Sequence, residues 1–289
     1  MTATTMDGSA VGYRPTRTLT FRTELRRQAS RRRTQLALGF MVVLPLIILI
    51  AFEFGDDNGN GNRRSQFAAL ADLATAGGLN FALFTLLVSA SFLLIVVVAL
   101  FCGDTVASEA SWGSLRYLLA VPVPRARLLG SKLLVSLFSC AVALVLLTGT
   151  ALAAGTLRYG WHPLQTTVAG DVPAGTAVLR LAEILGYLAI SLLVVASLAF
   201  LLSVSTDAPL GAVGGAVLLQ ILSSILDQIT ALGNLRLILP THYANAWLGL
   251  LSNPVQTDDM VKGIISAFVY AVLFFGWAWY RFLRKDVVS

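Results

Sequence analysis

The chain has 289 residues, 56% of them hydrophobic and only 12% charged, with a mean hydropathy of +0.77. Soluble domains carry about 45–50% apolar and about 25% charged residues, so too little polar surface remains to cover a water-soluble globule, and an integral membrane protein follows. A net charge of +6 could point to nucleic acid, but the bases gather in the N-terminal tail and at the ends of apolar runs, which is a membrane pattern.

Residues 1–35 form a basic cytoplasmic tail. Within it, Leu19, Phe21, Leu25 and Ala29 space an apolar stripe among arginines, which predicts an amphipathic helix lying on an anionic leaflet. "SRRRTQLALGF" loosely matches a twin-arginine signal, but a long apolar run follows it and no small-residue cleavage site ends that run.

A bilayer core about 30 Å thick takes about 20 apolar residues in a helix. Charge-free runs at 36–52, 73–103, 133–157, 184–206, 208–226 and 263–280 therefore predict an all-α fold with six transmembrane helices. The membrane domain is expected over 36–282, with spans near 36–53, 80–103, 128–155, 179–204, 208–227 and 262–282, and a short tail at 283–289. The second run is longer than needed, so residues 73–79 read as a lead-in broken at Gly77-Gly78. Pro45 permits a kink in the first span.

An even number of spans places both termini on one side. With that side inward, 15 of the 21 Lys and Arg face the cytoplasm, and only Arg63, Arg64, Arg158, Arg180, Arg236 and Lys262 lie outside. The positive-inside rule then predicts a multi-pass protein of the cell membrane with cytoplasmic termini. On the outer side, 228–261 is apolar yet interrupted by two prolines, and reads as short helices at the boundary before the last span. Trp161, Tyr243 and Trp247 read as an interfacial aromatic belt.

Chemistry-bearing motifs are scarce. No G-x-x-x-x-G-K-[ST] occurs, so no nucleotide site is expected in this chain. His162 and His242 stand in separate outer loops without metal-ligand context, Cys102 and Cys140 read as small apolar fillers, and no serine has a nucleophile-elbow setting. Neither catalytic nor metal residues are expected. Arg180, Glu183 and Asp227 are the ionisable residues nearest a span interior, where Arg180 and Glu183 could snorkel or pair one turn apart. Gly211 and Gly215 form a G-x-x-x-G that serves either intrachain packing or a subunit contact.

The largest inner loop joins spans two and three: "SEASWGSLRYLLAVPVPRARLLGSKLL". Trp112, Leu115 and Leu119 share one helical face, and Glu109, Gly113 and Arg116 a neighbouring one. Pro122 and Pro124 then force a turn, and Arg125, Arg127 and Lys132 hold the restart of span three at the headgroups. Periodicity alone supports either an ordinary amphipathic loop or a membrane-parallel helix offering a charged strip to a partner.

The pattern E-x-x-x-G-S-L-R-x-x-L-A-x-P-V-P-R-x-x-L-L-x-x-K over Glu109–Lys132 resembles the loop after the second span of ABC-2 type permeases. The basic tail, six spans and broken segment before span six resemble that family too, although many members carry Ser or Thr where Pro124 stands. The resemblance implies the permease subunit of an ATP-driven exporter, not itself an enzyme. Its cargo would be a hydrophobic or amphipathic drug, lipid or peptide. The loop would be a cytoplasmic coupling helix, with Glu109, Trp112, Gly113, Leu115, Arg116, Leu119, Pro122 and Arg125 as the coupling positions. Glu109 and Arg116 would contact the ATPase, and Trp112 and Leu115 would pack on the spans. Implied partners are two ATPase subunits, which bind ATP and Mg, and a second permease chain, identical or homologous. The rival expectations are a proton-coupled secondary transporter and a membrane anchor or sensor worked by an ATPase without transport.

Overall fold

The computed structural model describes residues 21–54, 72–111, 124–166 and 170–284. Two helices open the chain, α1 (Phe21–Ala29) and α2 (Arg32–Phe54), the latter running through Pro45 without ending. Next come α3 (Gly78–Ala90) and α4 (Leu93–Ser111), and then α5 (Arg125–Tyr159). A short antiparallel hairpin, β1 (Leu164–Thr166) with β2 (Gly170–Val172), pairs Leu164 with Val172 and Thr166 with Gly170. The chain continues through α6 (Ala174–Ser191), α7 (Leu193–Ser205) and α8 (Pro209–Asp227). Two 3-10 segments, Thr230–Ile238 and Ala246–Leu251, lead into α9 (Asp258–Arg284).

Six helical segments are long and apolar enough to cross a membrane, α6 and α7 acting as one 32-residue piece. The protein is thus built as a multi-pass helical membrane protein. At the α3–α4 and α6–α7 junctions, Ser91 and Leu192 keep right-handed helical dihedrals, so each pair is one interrupted rod. Several rods outrun the expected spans: α5 has 35 residues, about 52 Å at 1.5 Å per residue, well beyond the hydrocarbon thickness. An apolarity window sees only the lipid-depth portion of such a helix.

Burial ranks the helices. The apolar window of α4 is 72% buried and that of α2 only 17%, so α4 is the axis of the bundle and α2 lies on its rim. α4 packs on α5, α7 and α8, while α9 closes against α7. Lipid supplies no hydrophobic drive between helices, so close backbone approach has to hold them. Gly103 of α4 lies against Val213 of α8, and Gly155 of α5 against Phe81 and Gly78 of α3. The buried stripe of α8 is Ala212, Ala216, Gln220 and Ser223. Of the expected glycine pair, Gly215 meets Leu202 of α7 within the chain, whereas Gly211 is exposed and has only Ala208 near it.

Apart from the two mid-rod junctions, the helix ends assort to two poles. One carries α1, the starts of α2, α5 and α8, and the ends of α4, α7 and α9; the other carries the hairpin and both 3-10 segments. At the hairpin pole α5 stops at Gly160, whose φ of 80° suits glycine and whose amide returns to Thr156 O. The Gly160 carbonyl accepts from Gly78 N at 3.0 Å and so seats the start of α3. Asn80 then clasps the hairpin, donating to Gln165 O at 2.7 Å and accepting from Gln165 N at 3.1 Å.

The connection between α5 and α6 contains the short hairpin of β1 and β2. One expectation at this pole is corrected. Trp247 is not an interfacial anchor: it is 1% exposed and packs inside the bundle with Leu164, Val172 and Leu250. Trp161, by contrast, is 51% exposed.

Candidate functional site

Near its end α4 reads D-T-V-A-S-E over 104–109, which puts Asp104, Ser108 and Glu109 on adjoining faces at i, i+4 and i+5. On α1, Glu24 and Gln28 sit one turn apart, and both are buried. Lys132 lies seven residues into α5, about 10 Å past its start by helical rise. The fold brings these three helices together at the α1 pole.

There Lys132 Nζ lies 2.6 Å from Glu109 Oε1 and 3.0 Å from Glu24 Oε1, with all three side chains at most 4% exposed. Arg27 Nη1 reaches Glu109 Oε1 at 3.0 Å and Glu24 Oε2 at 3.8 Å. Arg31 approaches Asp104 at 3.5 Å and Glu109 at 3.6 Å and donates to Ser108 Oγ at 3.3 Å. Arg33 binds Asp104 at 2.7 Å. Three carboxylates thus meet four cations, and every carboxylate has at least two cationic neighbours.

That multiplicity is required. Removing an ion from water costs several kcal/mol, and one buried partner seldom offsets it. Hydroxyls extend the network: Thr105 bonds Ser136 at 2.6 Å, tying α4 to α5, and Ser203 Oγ accepts from the amides of Val106 and Ala107 at 3.0 Å each, tying α4 to α7. The ends of α1, α4, α5 and α7 are therefore one polar-bonded block.

This placement corrects two expectations. Glu109 does not belong to an exposed strip; its side chain is 2% exposed and turned into the cluster. Lys132 does not hold the headgroups; it is 1% exposed. α1 packs its polar face, Glu24 and Gln28, against the bundle, while Phe21 stays 40% exposed beside Phe138. Of the other coupling positions, Arg125 starts α5 with Nη1 3.5 Å from the carbonyl of Leu283. Trp112, Gly113, Leu115, Arg116, Leu119 and Pro122 lie outside the described residues.

The sequence did carry a signal for the cluster. Ionisable residues inside a transmembrane helix are functional candidates by default, and Asp104 and Glu109 continue α4 past its last apolar turn. A span that ends at Gly103 leaves both in the loop.

Toward the hairpin pole a second polar feature appears. A chamber of about 250 Å3 lies among α3, α4, α6, α8 and the first residues after Leu239, lined by Ser91, Gln220, Ser224, Asp227, Thr241 and His242 among others. Asp227 lies 2.6 Å from His242 Nδ1 and 3.6 Å from Arg236 Nε. Ser223 and Thr241 bond at 2.8 Å. Among the described residues Arg180 and Glu183 form no ion pair with each other, and Glu183 is exposed. Among the described residues no group of three His, Cys, Asp or Glu could hold a metal ion.

A family described as protein of unknown function, DUF2705, matches the chain over residues 40–288. No curated protein matches it.

Proposed function

The chain belongs to this family of unknown function, DUF2705, and we propose that it is the membrane-spanning permease subunit of an ATP-driven exporter of the ABC-2 type. The observation that carries the reading is the polar-bonded block at the α1 pole. It lies directly before and after the segment 112–123, whose sequence resembles a coupling loop. A loop that receives force from an ATPase needs stiff anchors on both flanks, and Glu109 and Lys132, 2.6 Å apart, bind those flanks to each other and to α1.

In this reading the α1 pole is cytoplasmic and α1 lies at the inner leaflet with Phe21 and its arginines outward. Two ATPase subunits supply the ATP and Mg sites, and a second permease chain completes the path. Gly211, exposed on α8, is free to meet that second chain. Closure of the ATPase pair on ATP biases the bundle between two conformations by differential affinity. Cargo is hydrophobic or amphipathic; the polar chamber at Gln220, Ser224 and Asp227 favours an amphipathic molecule with a polar head.

The proton-coupled alternative gains buried carboxylates that the apolar runs did not reveal. Each of them faces at least two cations at a helix end, an arrangement suited to a fixed tie.

The test is reconstitution of the full chain with a candidate ABC-type ATPase subunit. The chain should co-purify with that ATPase and stimulate ATP hydrolysis in liposomes, and Arg116→Ala should reduce the stimulation severalfold without lowering membrane insertion. Full stimulation with Arg116→Ala, or no association at all, sinks the coupling assignment. Glu109→Ala is unsuitable for this purpose because it disturbs the buried cluster.

A further inference from the structure

Gln220, Ser224 and Asp227 recur at i, i+4 and i+7 along α8, with Gln228 at its C-cap, so they share one side of the helix. All four border the polar chamber of about 250 Å3. Thr241, His242 and Asn245 reach it from between the two 3-10 segments, and Ser91 and Ser191 from the two mid-rod junctions. Nine of the sixteen lining residues are therefore polar. The other seven, among them Leu94, Ile95, Leu188, Leu192 and Val195, make the rest of the wall apolar.

Much of that polarity is unspent. Gln220 is only 6% exposed, and its side-chain amide makes no hydrogen bond among the described residues. The amide is not sealed in protein either, since its atoms stay accessible where the residue lines the chamber. A buried amide in that position bears its desolvation cost until a ligand or water meets it. Ser224, Gln228 and Asn245 likewise have side chains with no hydrogen-bond partner among the described residues.

Size and charge choose the head that fits. A cavity of about 150 Å3 takes one bare six-membered ring, and sites for drug-sized ligands start near about 300 Å3. The chamber lies between, and holds one ring with its substituents. No Lys or Arg lines it, and its one carboxylate, Asp227, is already matched by His242 at 2.6 Å and Arg236 at 3.6 Å. A phosphate head would find no fixed cation in the wall, and an ammonium head no free anion. Hydroxyls both donate and accept, as do the amides of Gln220, Gln228 and Asn245, so a neutral polyhydroxyl ring fits.

The chamber also continues into lipid. A groove of about 270 Å3 adjoins it and shares Ser91, Ile95, Ser224 and Gln228 with it. The remaining groove residues, Phe92, Ile221 and Ile225, are 57%, 37% and 56% exposed, and exposed apolar side chains of spanning helices meet lipid tails. One molecule can keep its polar head in the chamber and its hydrocarbon in the groove.

We infer that chamber and groove together bind a bilayer glycolipid with a single neutral sugar. The sugar hydroxyls bond the amides of Gln220 and Asn245, and one acyl chain lies on Phe92, Ile221 and Ile225. As cargo this lipid rests on the exporter proposal; as ligand it binds the chain alone.

Native mass spectrometry of the full-length chain, purified in a polyoxyethylene detergent that carries no sugar, tests this with three dioleoyl probes: monoglucosyl diacylglycerol, diacylglycerol and phosphatidylglycerol. Wild type should hold one monoglucosyl lipid at least about tenfold more tightly than either of the others. Gln220→Leu and Asn245→Ala should each weaken that binding about three- to tenfold, the range one hydrogen bond carries, and leave diacylglycerol binding unchanged. Equal binding of the three lipids, a preference for phosphatidylglycerol, or undiminished glucosyl-lipid binding by both variants overturns the site. Should Gln220→Leu lower the thermal midpoint, Asn245→Ala, at an exposed position, decides alone. Glucosyl-lipid binding by a chain that stimulates no ATPase would keep the site and sink the exporter; stimulation without that binding would do the reverse.

Discussion

Lys132 shows how much one residue can hold when it is removed from water. It neutralises two carboxylates, Glu24 and Glu109, that come from helices 108 and 23 residues away in sequence. Truncating one partner of a buried ion pair leaves the other charge uncompensated and costs about 3–5 kcal/mol. Lys132→Met should therefore lower the thermal midpoint of the detergent-purified chain markedly. The double variant Lys132→Met/Glu109→Leu should recover part of the loss, because it also removes a buried charge. A single variant that melts like wild type would show that Lys132 contributes nothing to the cluster. Trp247 gives the same lesson from the apolar side. By type it belongs at a membrane interface, and by neighbours it became part of the core. Neither fate is legible locally, since each depends on which distant side chains arrive beside it.

At the scale of elements, the helices pair through small residues. A Cβ on Gly155 would meet Phe81 Cβ at 2.8 Å and Gly78 Cα at 3.1 Å, so α3 and α5 touch almost backbone to backbone there. Overpacking of a tight contact costs typically about 1–3 kcal/mol. Gly155→Val should lower the midpoint accordingly and loosen the α3–α5 pair, whereas Gly149→Ala, with nothing within 4 Å, should leave it unchanged or raise it slightly. Melting curves of the two variants side by side check this, and equal behaviour would contradict the close approach. The glycine pair that stands out in the sequence, Gly211 and Gly215, is not the main contact of α8. Ala212 and Ala216, one position on, carry that contact because they lie on the face turned to the bundle. The spacing of small residues was readable, but the rotation of the helix was not.

For the whole molecule, the division into two poles makes a prediction about sidedness. In a Cys102→Ser/Cys140→Ser background, Gln165→Cys on the exposed edge of β1 should react with a membrane-impermeant maleimide in intact cells. Ser30→Cys, after α1, should react only once the membrane is opened. The reverse pattern would invert the orientation drawn from the basic residues. That asymmetry is concentrated at one end because Arg22, Arg26, Arg27, Arg31, Arg32, Arg33, Arg281 and Arg284 all come to the α1 pole.

Class and span number were settled by the sequence itself. Apolar runs of bilayer length have few stable fates other than a membrane helix, because every backbone polar group must be satisfied inside lipid. The bias of bases toward one set of loops is likewise a sum over the chain and needs no geometry. Tertiary structure alone decided which charges are buried, which face of each helix packs, and where cavities open. Glu109 could be an exposed contact or a buried ion, and only the arrival of Lys132, Arg27 and Arg31 made it the latter. Burial is a property of contacts between residues far apart in sequence, whereas apolarity of a run is a property of neighbours; the first therefore waits on the fold and the second does not.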